Sequence, residues 1–291
     1  MSQSEYYMPQ ANSYIRVEHF HLYTNEDLIE MLHYWFNENY IDPAEICPYE
    51  KGEYIYIYGG PIEPEEAFNK EFKEIIETNI LQKALQELPN PYNDFSLLPD
   101  INWSDYTATN PYFVFNEHID DIRRLSAVHN NNLLLQQKYM GMLFANVVTT
   151  FEIFISDTLI QTIHKNEEYR NNFLNSVNIK LSIKKLWTVE YKRYWFEIIE
   201  KIYSITFSNS KKLNKNFCEV LDINLSKINI QELEKASETR NDIMHRNGKN
   251  KKGEDIQTDE STLEWCINTV VDIVKEITAK ENTNTVSIQI A

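Results

Sequence analysis

The sequence predicts a mainly α-helical protein in two parts, a smaller N-terminal α+β domain over residues 1–112 and a C-terminal helical bundle over residues 113–291. Three observations lead there. Only 6 Gly and 9 Pro occur in 291 residues, too few for collagen-like, linker-rich or many-turn β architectures. With 42% hydrophobic and 13% aromatic residues, the chain has the apolar material for a buried core and is not disordered. From about Glu117 onward, apolar residues recur at helical spacing over long stretches almost free of glycine. Two domains are expected because single cores stop growing near roughly 250–300 residues.

Taken in order, residues 14–23 (YIRVEHFHLY) and 53–58 (EYIYIY) are rich in β-branched and aromatic residues and read as strands. The second runs into Gly59-Gly60-Pro61, a turn signal. Between them Thr24 opens T-N-E-D, a capping-box start, and Leu28, Met31, Leu32, Trp35 and Phe36 continue at helical spacing. Pro64 with Glu65 and Glu66 suits the first turn of another helix, carried on by Ala67, Phe68, Phe72, Ile75 and Ile76. Residues 89–112 gather Pro, Asn, Asp, Ser and Thr without a period, the composition of a linker, and the domain boundary is placed there.

In the second part, Leu133 through Ile163 carries apolar residues that fit one long amphipathic helix better than any strand. Helical windows follow at Ile183–Trp187, Tyr191–Ile205, Lys211–Val220, Ile230–His245 and Ser261–Ala279, giving a bundle of four to five helices. Asn247-Gly248 and Lys252-Gly253 read as a C-cap and loop. The tail Thr285–Ile290 alternates as a short strand does.

Composition also excludes functions. Cys47, Cys218 and Cys266 lie far apart with no C-x-x-C pair, so neither a disulfide framework nor a zinc knuckle is signalled, and reduced thiols in a cytoplasmic protein are expected. The start lacks a basic segment followed by an apolar one, and long apolar runs are broken by polar residues, so neither secretion nor a membrane span is expected. Net charge is −16, which by itself discourages nucleic-acid binding. The distribution changes that view. Residues 1–120 hold 22 acidic against 5 basic residues, whereas 180–252 hold 16 basic against 9 acidic. The chain is electrostatically two-part, and an acidic N-terminal domain that competes with RNA for a basic C-terminal half is one regulatory reading.

The chemistry-bearing stretch is Glu238-Thr239-Arg240-Asn241-Asp242-Ile243-Met244-His245-Arg246-Asn247-Gly248, at the end of an amphipathic helix. Arg is a permanent cation whose planar fork clamps phosphate, and His moves a proton near neutral pH. Those groups suffice to cleave RNA without a metal: the 2′-hydroxyl attacks the adjacent phosphate, charge builds on its oxygens, and the 5′-oxygen leaves. A solvated helix face carries the same residue types, and Arg240 then pairs with Glu234 or Glu238. On one helix, Asn241 and His245 are i,i+4 neighbours, while Arg240 and His245 stand about 140° apart. A second copy across a two-fold axis is one way to converge them. Elsewhere, Gly59-Gly60 fits no phosphate-loop pattern. His19 and His21 alternate on one expected strand face without a third ligand, and Glu63, Glu65, Glu66, Glu71, Glu74 and Glu77 make an acidic face. No cofactor and no metal site is expected.

The R-N-D-I-M-H-R-N-G run resembles the R-x(4–6)-H signature of HEPN domains, in which a polar residue follows the Arg. The stretch Phe151-Glu152-Ile153-Phe154-Ile155-Ser156-Asp157-Thr158-Leu159-Ile160 is similar to the first core helix of HEPN proteins of the RiboL-PSP kind. The resemblance covers roughly residues 117–281. It implies an up-and-down helical bundle that forms a homodimer or higher homo-oligomer, with two motifs facing one another. It also implies a cytoplasmic, metal-independent endoribonuclease of a toxin-antitoxin, abortive-infection or other anti-phage system. Arg240 is then the phosphate clamp, His245 the proton-transfer residue and Asn241 the group that orients His245 or the phosphate. Arg246 and Asn247 are candidates for contacting flanking RNA, and an antitoxin or a phage-derived trigger is the implied partner. One HEPN toxin subgroup carries a nucleotidylated Tyr two residues after the His; Asn247 stands there, so that form of silencing is not implied. The alternatives are a non-catalytic HEPN bundle that binds RNA, nucleotide or a partner protein, and a subunit activated only by another component.

Overall fold

A computed structural model describes residues 5–90, 93–100, 106–128, 131–178, 191–246 and 248–288. Helix accounts for 66% and strand for 8%, which makes the protein mainly α. The chain divides into two compact units, Met1–Ile101 with Leu181–Ile198, and Asn102–Lys180 with Ile199–Ala291. The expected helical window Ile183–Trp187 lies outside the described residues.

In the first unit, β1 (Glu5–Met8) pairs antiparallel with β2 (Ser13–Arg16) in the register Tyr6↔Ile15. The expected strand 14–23 therefore stops at Arg16. Its partner offers only four residues, and Val17–Leu22 turns instead into a 3-10 helix that puts Phe20 into the core. Helix α1 (Asn25–Asn39) starts at the expected capping box: Asp27 N donates to Thr24 Oγ1 at 3.2 Å and Thr24 N donates to Asp27 at 2.9 Å. The chain continues through β3 (Tyr40–Ile41), α2 (Pro43–Ile46), β4 (Tyr49–Glu50) and β5 (Glu53–Tyr54). Then come α3 (Pro64–Phe72), α4 (Thr78–Gln86) and β6 (Ser96–Leu97). Met31, Leu32, Phe36, Phe68 and Phe72 are its core, with Trp35 edge-on to Phe72 at 4.8 Å between ring centroids.

The expected strand 53–58 is also cut short, to Glu53–Tyr54, because β4 supplies only two partners. Beyond it the chain turns at Gly59 (φ 115°) and Gly60 (φ 136°). A Cβ on Gly60 would lie 2.8 Å from the Phe95 carbonyl, so the Gly-Gly pair serves a close backbone approach. Part of the expected linker is structured as well. Ser96–Leu97 pairs with β3, and Leu97 N donates to the Gly59 carbonyl at 3.0 Å.

The second unit is a helical bundle built on one long element. Helix α5 (Pro111–Ser126) begins before Glu117, because Asn110 and Pro111 form an N-cap and first turn; Tyr112 N donates to Asn110 Oδ1 at 2.9 Å. Helix α6 (Leu133–Lys165) is capped by Asn132 and followed by α7 (Glu167–Ser176), by α8 (Tyr191–Tyr203), of which residues 191–198 belong to the first unit and 199–203 to the second, and by α9 (Ser210–Leu213). The last of these passes into a π-helical turn, Asn214–Cys218. Helices α10 (Lys227–His245) and α11 (Glu260–Ile288) complete it. Helices α5, α7, α10 and α11 all pack on α6. Phe144, Val147, Val148, Phe151, Ile155, Leu159 and Ile163 of α6 are fully buried among them.

Two expectations change here. By length and composition α6 is able to cross a membrane, with mean hydropathy 1.5 over its most apolar window; 72% of that window is buried inside the protein, which accounts for its apolar character. Residues 285–288 continue α11 rather than forming a strand, and 289–290 lie outside the described residues.

Candidate functional site

Helix α10 carries the Arg240–His245 segment, and its position is set at both ends. At its start Ser226 Oγ accepts from Asn229 N at 3.2 Å, while Asn229 Nδ2 donates to Glu276 of α11 at 2.9 Å. Midway, Trp265 Nε1 donates to Glu232 at 2.8 Å, a second tie to α11. Leu233 and Ala236 are buried. At its end the amides of Arg246 and Gly248 donate to the Asp242 carbonyl at 3.1 and 3.2 Å, and Gly248 has φ +77°. That left-handed glycine closes the helix, as a C-cap does.

The turn is also fixed sideways to α6. A Cβ on Gly141 would stand 3.4 Å from Ile243 Cγ2 and 3.5 Å from Thr258 Oγ1. Thr258 in turn donates to the Gln137 carbonyl at 2.7 Å. Gly141 is thus a point of contact between α6 and the motif helix, where a side chain larger than a methyl group would press on Ile243 and Thr258.

Against this frame the motif residues divide. Arg240 and Asn241 are half-buried, and Arg240 Nη1 donates to Asn241 Oδ1 at 3.2 Å. Arg240 Nε is buried and has no hydrogen-bond partner among the described residues. His245 is exposed, as is Met244 beside it. Among the described residues no hydrogen bond joins His245 to Arg240 or Asn241. Arg246 is engaged differently: its Nη1 is ion-paired with the buried carboxylate of Asp242. Asn247 lies outside the described residues.

Three further residues surround the site. Glu152 of α6 accepts from Ser208 N at 3.2 Å and from Ser208 Oγ at 3.0 Å, and Ser237 of α10 donates to Ser208 Oγ at 3.3 Å. Helices α6 and α10 are therefore bridged through Ser208, just before α9. Sequence pattern gives no signal for Ser208, since it stands 29 residues before Ser237. A groove of about 800 Å³ opens here, between the Ser208–Lys211 segment and α10, and Asn241 lines one end of it. One turn along α6 from Glu152, burial pushes the Asp157 carboxyl up to about 6, partly offset by a hydrogen bond from the Tyr203 hydroxyl.

Among the described residues no group of three or more His, Cys, Asp or Glu side chains is arranged to hold a metal ion. His19 and His21 sit on the 3-10 turn rather than a strand; His21 Nδ1 is 2.8 Å from the Glu18 carbonyl and His19 Nε2 is 3.8 Å from the Glu18 carboxylate. Glu63, Glu65, Glu66, Glu71, Glu74 and Glu77 are all exposed. No family model, curated protein or solved structure matches the chain.

Proposed function

We propose that this protein is a metal-independent endoribonuclease with a HEPN-like helical domain, cytoplasmic, and acting in a bacterial anti-phage or toxin-antitoxin system. The observation that carries the reading is the state of Arg240: a half-buried guanidinium whose Nη1 donates to Asn241 and that has no carboxylate partner among the described residues. A guanidinium without a carboxylate partner is suited to an anionic ligand that the protein itself does not supply. His245, exposed one turn after Asn241, is placed to exchange protons with a bound substrate.

In this mechanism Arg240 binds the scissile phosphate and stabilises the charge that develops as the ribose 2′-oxygen attacks phosphorus. His245 transfers the proton, as base at the 2′-hydroxyl or acid at the departing 5′-oxygen. Because Arg240 and His245 diverge by about 140° on one helix, the complete site combines two copies of α10 across a two-fold axis. Met244, an exposed apolar side chain within the motif turn, suits such a contact. The acidic first unit, with most of the 22 acidic residues of the first 120, is assigned a regulatory or sensing role.

The test is incubation of the purified protein with total RNA and tRNA in the presence of chelator, with end-group analysis and a solution mass. The expected result is cleavage that survives chelation, fragments ending in 2′,3′-cyclic phosphate, and a dimer or larger assembly. A requirement for Mg²⁺, or a strict monomer that cleaves, would contradict the mechanism. Base-selective RNA binding without cleavage would favour a non-catalytic bundle.

A further inference from the structure

The groove beside Asn241 is chemically unlike a phosphate channel. Along α10 it is lined by Gln231, Glu234, Glu238 and Asn241, at i, i+3, i+7 and i+10, one stripe of a helix about 15 Å long. Its charges balance: Lys211 and Lys235 against Glu234 and Glu238. Lys235 is ion-paired with Glu232, and Glu238 is 3.3 Å from Lys251. A wall of this kind offers phosphate little attraction, but it is dense in hydrogen-bonding groups.

The direction of those hydrogen bonds can be read. Ser237 donates its hydroxyl proton to Ser208, and Ser208 donates to Glu152. Ser210 donates to Glu234 Oε1. The hydroxyl protons of Ser208 and Ser210 are thus directed toward carboxylates and that of Ser237 toward the Ser208 oxygen, so the oxygens of Ser237 and Ser210 and the second oxygen of Glu234 remain as acceptors. Asn241 is oriented too, because a guanidinium only donates: its Oδ1 faces Arg240 and its NH₂ is left to donate.

We propose that this groove is the base-reading subsite of the RNA site. It takes an unpaired nucleobase next to the phosphate held by Arg240 and selects bases that present N–H donors. Adenine, cytosine and guanine carry an exocyclic amino group for the acceptor oxygens of Glu234, Ser210 and Ser237. Uracil presents mainly carbonyl oxygens, which would meet like partners and leave the acceptors that face the base unsatisfied. At about 800 Å³ the groove has room for a base and its ribose. The proposal rests on the RNA reading of the Arg240 site, but not on cleavage.

The experiment uses the full-length protein and short 2′-O-methyl RNA, which cannot be cleaved by 2′-oxygen attack. Fluorescence anisotropy compares oligo-A, oligo-C and oligo-U. Binding of A and C at least about fivefold tighter than U is expected. Glu234→Gln, which replaces an acceptor oxygen with an N–H donor of the same shape, is expected to bring that ratio to within about twofold. Equal binding of all three by the wild type, or a ratio untouched by Glu234→Gln in a variant with native circular dichroism, would overturn the subsite. A second measurement does not depend on the variant: photo-crosslinking of an oligonucleotide carrying one 8-azidoadenosine in a run of A. Crosslinks within 208–211 or 231–241 are expected; crosslinks confined to other segments would overturn it. Base-selective binding without any cleavage would leave the subsite standing and remove the nuclease. Cleavage in chelator with no base preference would do the reverse.

Discussion

Arg240 and Arg246 stand six residues apart on the same helix end, and the protein treats them in opposite ways. Arg246 is largely exposed, yet its guanidinium is ion-paired with buried Asp242 in the turn that ends α10. Arg240 is more buried, yet among the described residues it has no carboxylate partner: its buried Nε has no hydrogen-bond partner there, and its Nη1 donates to the neutral amide of Asn241. Burial without a counter-charge costs stability, since a desolvated cation lacks its compensation. One arginine is thus tied into the fold by a carboxylate while the other is half-buried without one, and substitution should separate the two.

The largest effect is expected where the motif helix meets α6. Gly141→Leu places a side chain against Ile243 and Thr258 and should cost about 1–3 kcal/mol by overpacking. Chemical denaturation measures it, and a change under about 0.5 kcal/mol would show that α10 is not anchored there. Next comes the structural arginine pair. Asp242→Ala leaves Arg246 without its buried partner and should cost about 1–2 kcal/mol, below the range for fully buried pairs because Arg246 is partly solvated. Arg240→Ala marks the other side of the contrast: its expected stability change lies within about 0.5 kcal/mol of zero, because an unpartnered buried group is lost. A large loss of stability in Arg240→Ala would erase the distinction between the two arginines.

A pH effect sharpens the picture of α6. Burial raises the Asp157 pKa from its ordinary value of 3.8 to about 6, so the folded state holds a proton there that the unfolded chain has already released. Stability contributed by this group is therefore lost as pH rises from about 4 through 6 and is level above that. Melting temperatures across pH 4 to 7 should show this slope in the wild type and a shallower one in Asp157→Asn. An identical slope in both would place the effect elsewhere.

The sequence foretold the elements whose signals are local. The Thr24 capping box, the long period of Leu133–Ile163 and the Gly248 C-cap each depend on neighbours within one or two turns. What was misread depended on distant partners. Tyr54 to Tyr58 has strand composition, but only two residues of β4 are there to pair with it. Asn110-Pro111 looked like linker because the same pair that breaks a chain also starts a helix. Thr285–Ile288 alternates, yet extending an existing helix is easier than nucleating a new pairing. In the candidate site, the Arg240, Asn241 and His245 spacing is read from sequence, whereas Glu152, Ser208 and Ser210 come to α10 only through tertiary contact.

The most direct test of the central claim is the rate of RNA cleavage in chelator by the wild type, Arg240→Ala and His245→Ala, measured on protein whose unfolding curves coincide. The account predicts a loss of at least about a hundredfold in each variant with stability intact. Cleavage that persists in Arg240→Ala, or that fails only because the variant unfolds, would contradict it.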